Sequence, residues 1–287
     1  DDFRFEEGNP EYQLVIDDLT AENLGDYEIT PVGRRMASSV LFDKKDKKEV
    51  LNNIIELLNS IEPLASYIPD PVLSMLVESA ADRRIPPDFP NPTIMFVNFI
   101  GLPEAADRAL PGEERKLAAS FSKAFSLINA VVEARGGVLK KVTYHLSGSD
   151  IVIYFGVPNA HTNNEMRAAS AAIAIREVVE GINVKAPTIG GIKPEVYCQI
   201  GINMGPAFVA EVGDPRGRRE FNVLGDTVNT AARLMNRAQK NQIVVSDAVK
   251  QAVEIKYECA SLGEIPLKGK SMPMSLYELV KKKPKNN

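Results

Sequence analysis

The chain has 287 residues, 44% of them hydrophobic, enough for one large domain or a domain with a substantial extension. A formal net charge of −4 leaves no general basic surface, so a nucleic-acid backbone is excluded as the leading partner and any anion site must be local. Two distant cysteines, Cys198 and Cys259, argue against a disulfide framework and fit a reducing, cytoplasmic compartment. No apolar run reaches the length of a membrane span, and the acidic start D-D-F-R-F-E-E does not read as a signal peptide.

Residues 1–45 mix charge, Gly and Pro without sustained periodicity and read as a linker or packing arm. Val50, Leu51, Ile54, Ile55, Leu58, Ile61 and Leu64 then recur at helical spacing, and Asp70-Pro71 opens a second short helix, so 46–90 reads as a helical and extended lead-in. The run R-I-P-P-D-F-P-N-P, residues 84–92, is stiff and unfit for helix, which marks a boundary. The main domain is expected over 91–282, with a frayed basic tail at 283–287.

Within it, Thr93 to Phe99 reads as a strand, and Gly112 to Ala134 as a long amphipathic helix stopped by Gly136-Gly137. Leu139 to Leu146 and Ile151 to Phe155 flank Ser147-Gly148-Ser149-Asp150, a hairpin turn by composition. An Ala-rich helix follows over Asn164 to Glu180, then a strand pair over Val196 to Asn203 and Ala207 to Val212. Strand 219–224, helix Asp226 to Arg237, and strands Gln242 to Val245 and Ser275 to Leu279 complete the order. The fold class is α+β: a ferredoxin-like βαββαβ sheet with a C-terminal extension.

Asn229 and Arg233 stand four apart and share one face of the helix after Gly225-Asp226. An amide and a guanidinium on one face suit a ribose or a phosphate; the same spacing also describes an ordinary polar surface. The clustered Arg216, Arg218 and Arg219 read either as a pyrophosphate contact or as an exposed turn, and Lys140 and Lys141 as exposed charges.

Residues 93–280 resemble a class III adenylate/guanylate cyclase domain. The resemblance rests on six motifs in family order: T-I-M-F-V-N-F-I-G, G-G-V-L-K-K, S-G-S-D-I-V-I-Y-F-G-V-P-N-A-H, I-G-I-N-M-G-P-A-F-V-A-E-V-G, F-N-V-L-G-D-T-V-N-T-A-A-R-L and L-K-G-K. It implies a head-to-tail dimer of cyclase domains and conversion of ATP or GTP to the 3′,5′-cyclic nucleotide with loss of pyrophosphate. It also implies two divalent cations, Mg²⁺ or Mn²⁺, held by two aspartates.

Asn98 and Ser149 stand at those two aspartate positions, so the resemblance implies no metal ligands here and cations held by a partner cyclase domain. Asp150 lies one residue past the second position and reads either as an offset ligand, if the turn bulges, or as a solvated turn residue, the reading that strand alternation favours because it points Asp150 away. The other half of the family site is kept. Asn229 matches the ribose-orienting residue, and Arg233 the one that stabilises charge on the α-phosphate. Asn222 and His145 match the two purine-reading positions, and Lys268 and Lys270 the stretch that supplies a lysine to the terminal phosphates. This division resembles the non-metal half of tandem soluble cyclases. A catalytically inactive homologue that dimerises, binds a nucleotide or regulates attached domains is the competing expectation. S-G-S-D is not the turn of a diguanylate cyclase, and strand aromatics for RNA stacking are sparse.

Overall fold

The computed structural model describes residues 5–6, 14–15, 47–78, 85–145, 148–213, 219–269 and 272–284. It divides into two compact units, Asp1–Ile61 and Glu62–Asn287. In the first, Phe5–Glu6 pairs antiparallel with Leu14–Val15. Helix α1, Lys47–Ala65, begins there and shows Leu51, Ile54, Leu58 and Ile61 exposed along one stripe.

The second unit runs α2 (Asp70–Glu78), β1 (Thr93–Ile100), α3 (Leu102–Ala106), α4 (Glu114–Glu133), β2 (Gly137–His145) and β3 (Gly148–Phe155). It continues with α5 (Asn164–Lys185), β4 (Tyr197–Met204), β5 (Phe208–Gly213), β6 (Arg219–Leu224) and α6 (Asp226–Met235). Strand β7 (Ile243–Ser246), α7 (Asp247–Val253), β8 (Tyr257–Ile265) and β9 (Met274–Lys282) close it.

Strand alternation decides what each face carries. Seven strands pair in the order β8-β9-β7-β4-β1-β3-β2, and the β4-β1-β3-β2 half is the split βαβ arrangement of the expected fold class. Met95, Val97 and Phe99 of β1, with Ile151, Ile153 and Phe155 of β3, enter a core covered by α4 and α5. Helix α4 contributes Ala124, Ile128 and Val132 at four-residue spacing; α5 contributes alanines 168, 169, 171 and 172 with Ile175 and Val179. Each large aliphatic or aromatic side chain buried this way contributes about 1.5–3 kcal/mol. The start of α4 is held by carboxylates. Glu113 accepts the amides of Gly190 and Leu110, and these two bonds hold its carboxyl below the ordinary glutamate range.

The opposite face carries Ile94, Tyr154, Phe96 and Val152, packed against the β5–β6 ribbon through Val209, Phe221 and Val223. This ribbon face also receives α6. Gly201 of β4 makes that possible, since a Cβ there would overlap the backbone of Met235 and Ala231.

Three features depart from the sequence reading. The strand after the hairpin begins earlier than composition suggested: β3 starts at Gly148 and takes Ser149 and Asp150 into the ladder. Helix α5 runs on to Lys185 rather than Glu180. Elements α3, α7 and β8 carry no strong apolar period and were not expected.

Candidate active site

Asn98 stands on the ribbon face of β1, directly opposite Asp150 of β3 and Gln199 of β4. It is 5% exposed, and its Nδ2 donates to Gln199 Oε1 at 3.2 Å. Gln199 Nε2 in turn donates to the carbonyl of Ala238, just beyond α6. The amide of Asn98 thus ties β1 to β4 and to the end of α6 through an N–H that a carboxylate lacks. Gly148, at φ 132°, leaves room for it, since a Cβ there would overlap Asn98 Oδ1.

Ser149 pairs with Phe99 and Tyr144 and therefore faces the helix-covered core. Its side chain is fully buried, and Oγ has no hydrogen-bond partner among the described residues. Asp150 takes the other side of the pleat. The expectation that it turns away from Asn98 is corrected: with β3 starting at Gly148 and no bulge against β1, positions 148 and 150 share the face of Asn98. Its Oδ1 lies 3.0 Å from Nε2 of His145, across the same hairpin, with both side chains about one-third exposed.

Asn222 sits on β6 opposite Ala210, its Nδ2 donating to the carbonyl of Glu220 at 3.4 Å. Glu220 is 3.4 Å from Lys140 Nζ, whose side chain is only 11% exposed, so Lys140 is a shielded ion pair and not the solvated charge expected. A register shift between Leu139 and Lys141 bulges it out of the ladder. Buried Tyr154 has its phenol pushed up to about 12, by burial first and then by the charge of Glu220.

Helix α6 is pinned at its start, where Asn203 Nδ2 donates to the carbonyl of Thr227 at 3.1 Å and the Thr227 hydroxyl to that of Pro206 at 2.7 Å. From this rigid base it presents Asn229 exposed and Arg233 half-buried on one side, while Ala231, Leu234 and Met235 are buried on the other. Nη1 of Arg233 lies 3.8 Å from Asp226 Oδ1 and has no hydrogen-bond partner among the described residues. The L-K-G-K loop comes to it: a Cβ on Gly269 would stand 3.1 Å from Nη2. Leu267, buried with Leu234, Ala238, Val244 and Leu276, anchors that loop, and Lys268 beside Gly269 is exposed. Lys270, Arg216 and Arg218 lie outside the described residues, as does the side chain of Arg219.

The structure thus collects Arg233, Asn229 and the Lys268 loop at one place, and Asn98, Asp150 and His145 at another, both on the ribbon face. Gln199 and Gly269 had no signal in the sequence, since their importance comes from pairings across the fold. Two divalent cations would need several anionic oxygens. Of the two residues paired with Asn98, only Asp150 is a carboxylate, already in contact with His145, and no group of three or more His, Cys, Asp or Glu able to hold a metal exists among the described residues. The residues present do not fit a two-cation site. No helix among the described residues is long and apolar enough to cross a membrane.

A seven-stranded sheet with this ribbon, and a strand–Gly-Asp–helix segment presenting Asn229 and Arg233, defines a nucleotide cyclase domain. The chain belongs to the adenylate and guanylate cyclase catalytic domain family, whose model matches residues 87–281. Adenylate cyclase 1 of Rhizobium meliloti is 29% identical over 230 residues, 77% of this chain and 32% of that protein. The guanylate cyclase soluble subunit beta-2 of Rattus norvegicus is 27% identical over 247 residues, 85% of this chain and 34% of that protein. The chain therefore spans about a third of the length of these curated relatives. Among solved structures, the adenylyl cyclase CyaB from P. aeruginosa superposes with a TM-score of 0.59 at 20% identity, covering 69% of this chain and 98% of that one. A bacterial light-regulated adenylyl cyclase gives 0.65 at 16% identity, covering 83% and 67%.

Proposed function

We propose that this chain supplies the transition-state half of a composite cyclase site, converting ATP to 3′,5′-cyclic AMP and pyrophosphate. In this reading Mg²⁺ or Mn²⁺ is held by the carboxylates of a second cyclase domain in a dimer. The observation that carries the reading is the division between two sets of residues. Arg233 and Asn229 are presented together on α6 beside the Lys268 loop, whereas Asn98, at the first metal position, commits its Nδ2 to Gln199.

In the reaction the ribose 3′-oxygen gives up its proton and attacks the α-phosphorus, and the bond to pyrophosphate breaks. Negative charge grows on the non-bridging α-oxygens. A guanidinium on a pinned helix meets that charge with fixed donors and little reorganisation. Asn229, one turn earlier on the same face, is assigned to the ribose, and Lys268, with Lys270, to the departing phosphates. Asn222 and His145 are assigned to the purine edge. ATP is preferred over GTP; the relatives include both an adenylate cyclase of Rhizobium meliloti and a guanylate cyclase subunit of Rattus norvegicus, so GTP is the alternative that the assay decides.

Cyclase assays with Mn²⁺ and either ATP or GTP, on the chain alone and mixed with a metal-competent cyclase domain, test the reading. The chain alone is expected to be inactive and the mixture to prefer ATP. Absence of turnover in any mixture with either nucleotide overturns it. A second reading, a non-catalytic homologue, draws on the pairing of Asp150 with His145. It expects the chain to associate with a cyclase domain without supporting turnover.

A further inference from the structure

We infer that Gly269 and Asp226 are positioning residues for Arg233, holding its guanidinium from two sides in the orientation that meets the α-phosphate. The inference rests on the function proposed above.

An arginine side chain is long and carries about 2 kcal/mol of rotamer entropy, so a guanidinium meant for a developing charge has to be held by something. Arg233 is 29% exposed, and its Nη1 has no hydrogen-bond partner among the described residues. Among the described residues, therefore, hydrogen bonding through Nη1 does not fix it. A steric wall and a charge stand at the guanidinium instead.

The wall is the backbone of Gly269. A Cβ at that position would lie 3.1 Å from Nη2, tighter than an ordinary contact, and 3.7 Å from Cζ and 3.8 Å from Nη1, so a side chain there would crowd the guanidinium and shift it by a few tenths of an ångström. Its φ of 76° lies where L side chains are strained; Leu267, two residues earlier, is buried in one cluster with Leu234 of α6, and Arg237, just after α6, donates to the carbonyl of Pro266 at 3.0 Å. The wall is thus fixed to the helix that carries the arginine.

The charge is Asp226. It precedes Arg233 by seven residues, two turns, and so lies on the same helix face, with Oδ1 3.8 Å from Nη1. Its side chain is 62% exposed, so this is a weak pair in solution that biases a rotamer without occupying the donor.

The test uses the full chain mixed with a metal-competent cyclase domain whose own transition-state arginine is replaced by alanine. Gly269→Ala and Asp226→Asn are expected to lower kcat about tenfold or more and about threefold, respectively, with KM nearly unchanged, as misplacement of a transition-state group does. Gly269→Asn, which tolerates a positive φ while keeping a Cβ, should behave like Gly269→Ala and separates crowding from backbone strain. In an Arg233→Lys background the Gly269→Ala effect should shrink to less than half on a logarithmic scale.

If Arg233→Ala leaves the mixture's turnover unchanged, the proposed function fails. If Arg233→Ala abolishes turnover while the Gly269 and Asp226 variants keep wild-type kcat, or if Gly269→Ala costs the same in the Arg233→Lys background, the positioning inference alone is overturned.

Discussion

Asn98 and Asp150 face each other across β1 and β3 on one side of the sheet, while Ser149, which the motif spacing matches to a metal carboxylate, is buried on the other. Directly opposed residues in an antiparallel pair have Cβ atoms about 4.5–5.5 Å apart, close enough for two carboxylates to share one cation. Asn98→Asp should therefore create a site with Asp150, seen as a rise in thermal midpoint on adding Mn²⁺ that the unaltered chain does not show. Ser149→Asp instead places a carboxylate in the helix-covered core and should cost about 3 kcal/mol in denaturant unfolding. A Mn²⁺ response in Ser149→Asp matching that of Asn98→Asp would contradict the assignment of faces.

The bare face of Gly201 seats the helix that carries Asn229 and Arg233. Gly201→Ala forces a methyl group against the backbone of Met235 and Ala231, and helix backbone cannot yield as a flexible side chain would. A loss of about 1–3 kcal/mol is expected, with a drop in turnover of the mixed dimer measured well below the new thermal midpoint. Unchanged stability would mean that α6 does not bear on β4 at this point.

The phenol of Tyr154 is pushed up from 10.0 to about 12, by burial and then by Glu220. The folded state thus favours the neutral phenol. The associated stability is present in full below about pH 10 and is lost as the pH rises towards 12, amounting to about 3 kcal/mol for a fully coupled group. Unfolding free energies at several alkaline pH values should fall across this window, and Tyr154→Phe should flatten the fall.

Cys198 is buried, and burial pushes its thiol up to about 12, so it carries almost no thiolate at neutral pH. Cys259 is partly exposed, its thiol also raised, chiefly by burial. A thiol reagent at pH 8 should label the folded protein slowly and at one site, with the second appearing only on unfolding. Cys198→Ala should leave native labelling unchanged.

Much of the sheet was legible because β1, β3 and β4 are buried on both faces and read as continuous apolar runs; strand 219–224 was placed in full. Asn229 and Arg233 were legible as a pair because helical spacing alone puts them together. The position of Asp150 was not. Gly, Ser and Asp are turn formers, and local chemistry assigned them to the turn, whereas pairing with β1 draws them into β3. Strand β8 was missed for a related reason: it lies at the sheet edge, largely exposed, and register shifts around Glu258 and Ser261 break its alternation. The links from Asn98 through Gln199 to Ala238, and from Gly269 to Arg233, join residues far apart in the chain, where no local pattern reaches.

The proposed function requires Arg233 to act in a site completed by another domain. The most direct measurement is ATP turnover by this chain mixed with a metal-bearing cyclase domain whose own transition-state arginine has been replaced by alanine. Turnover that falls about 100-fold or more with Arg233→Ala in this chain is the predicted result. Turnover that is absent with the unaltered chain, or undiminished by Arg233→Ala, would contradict it.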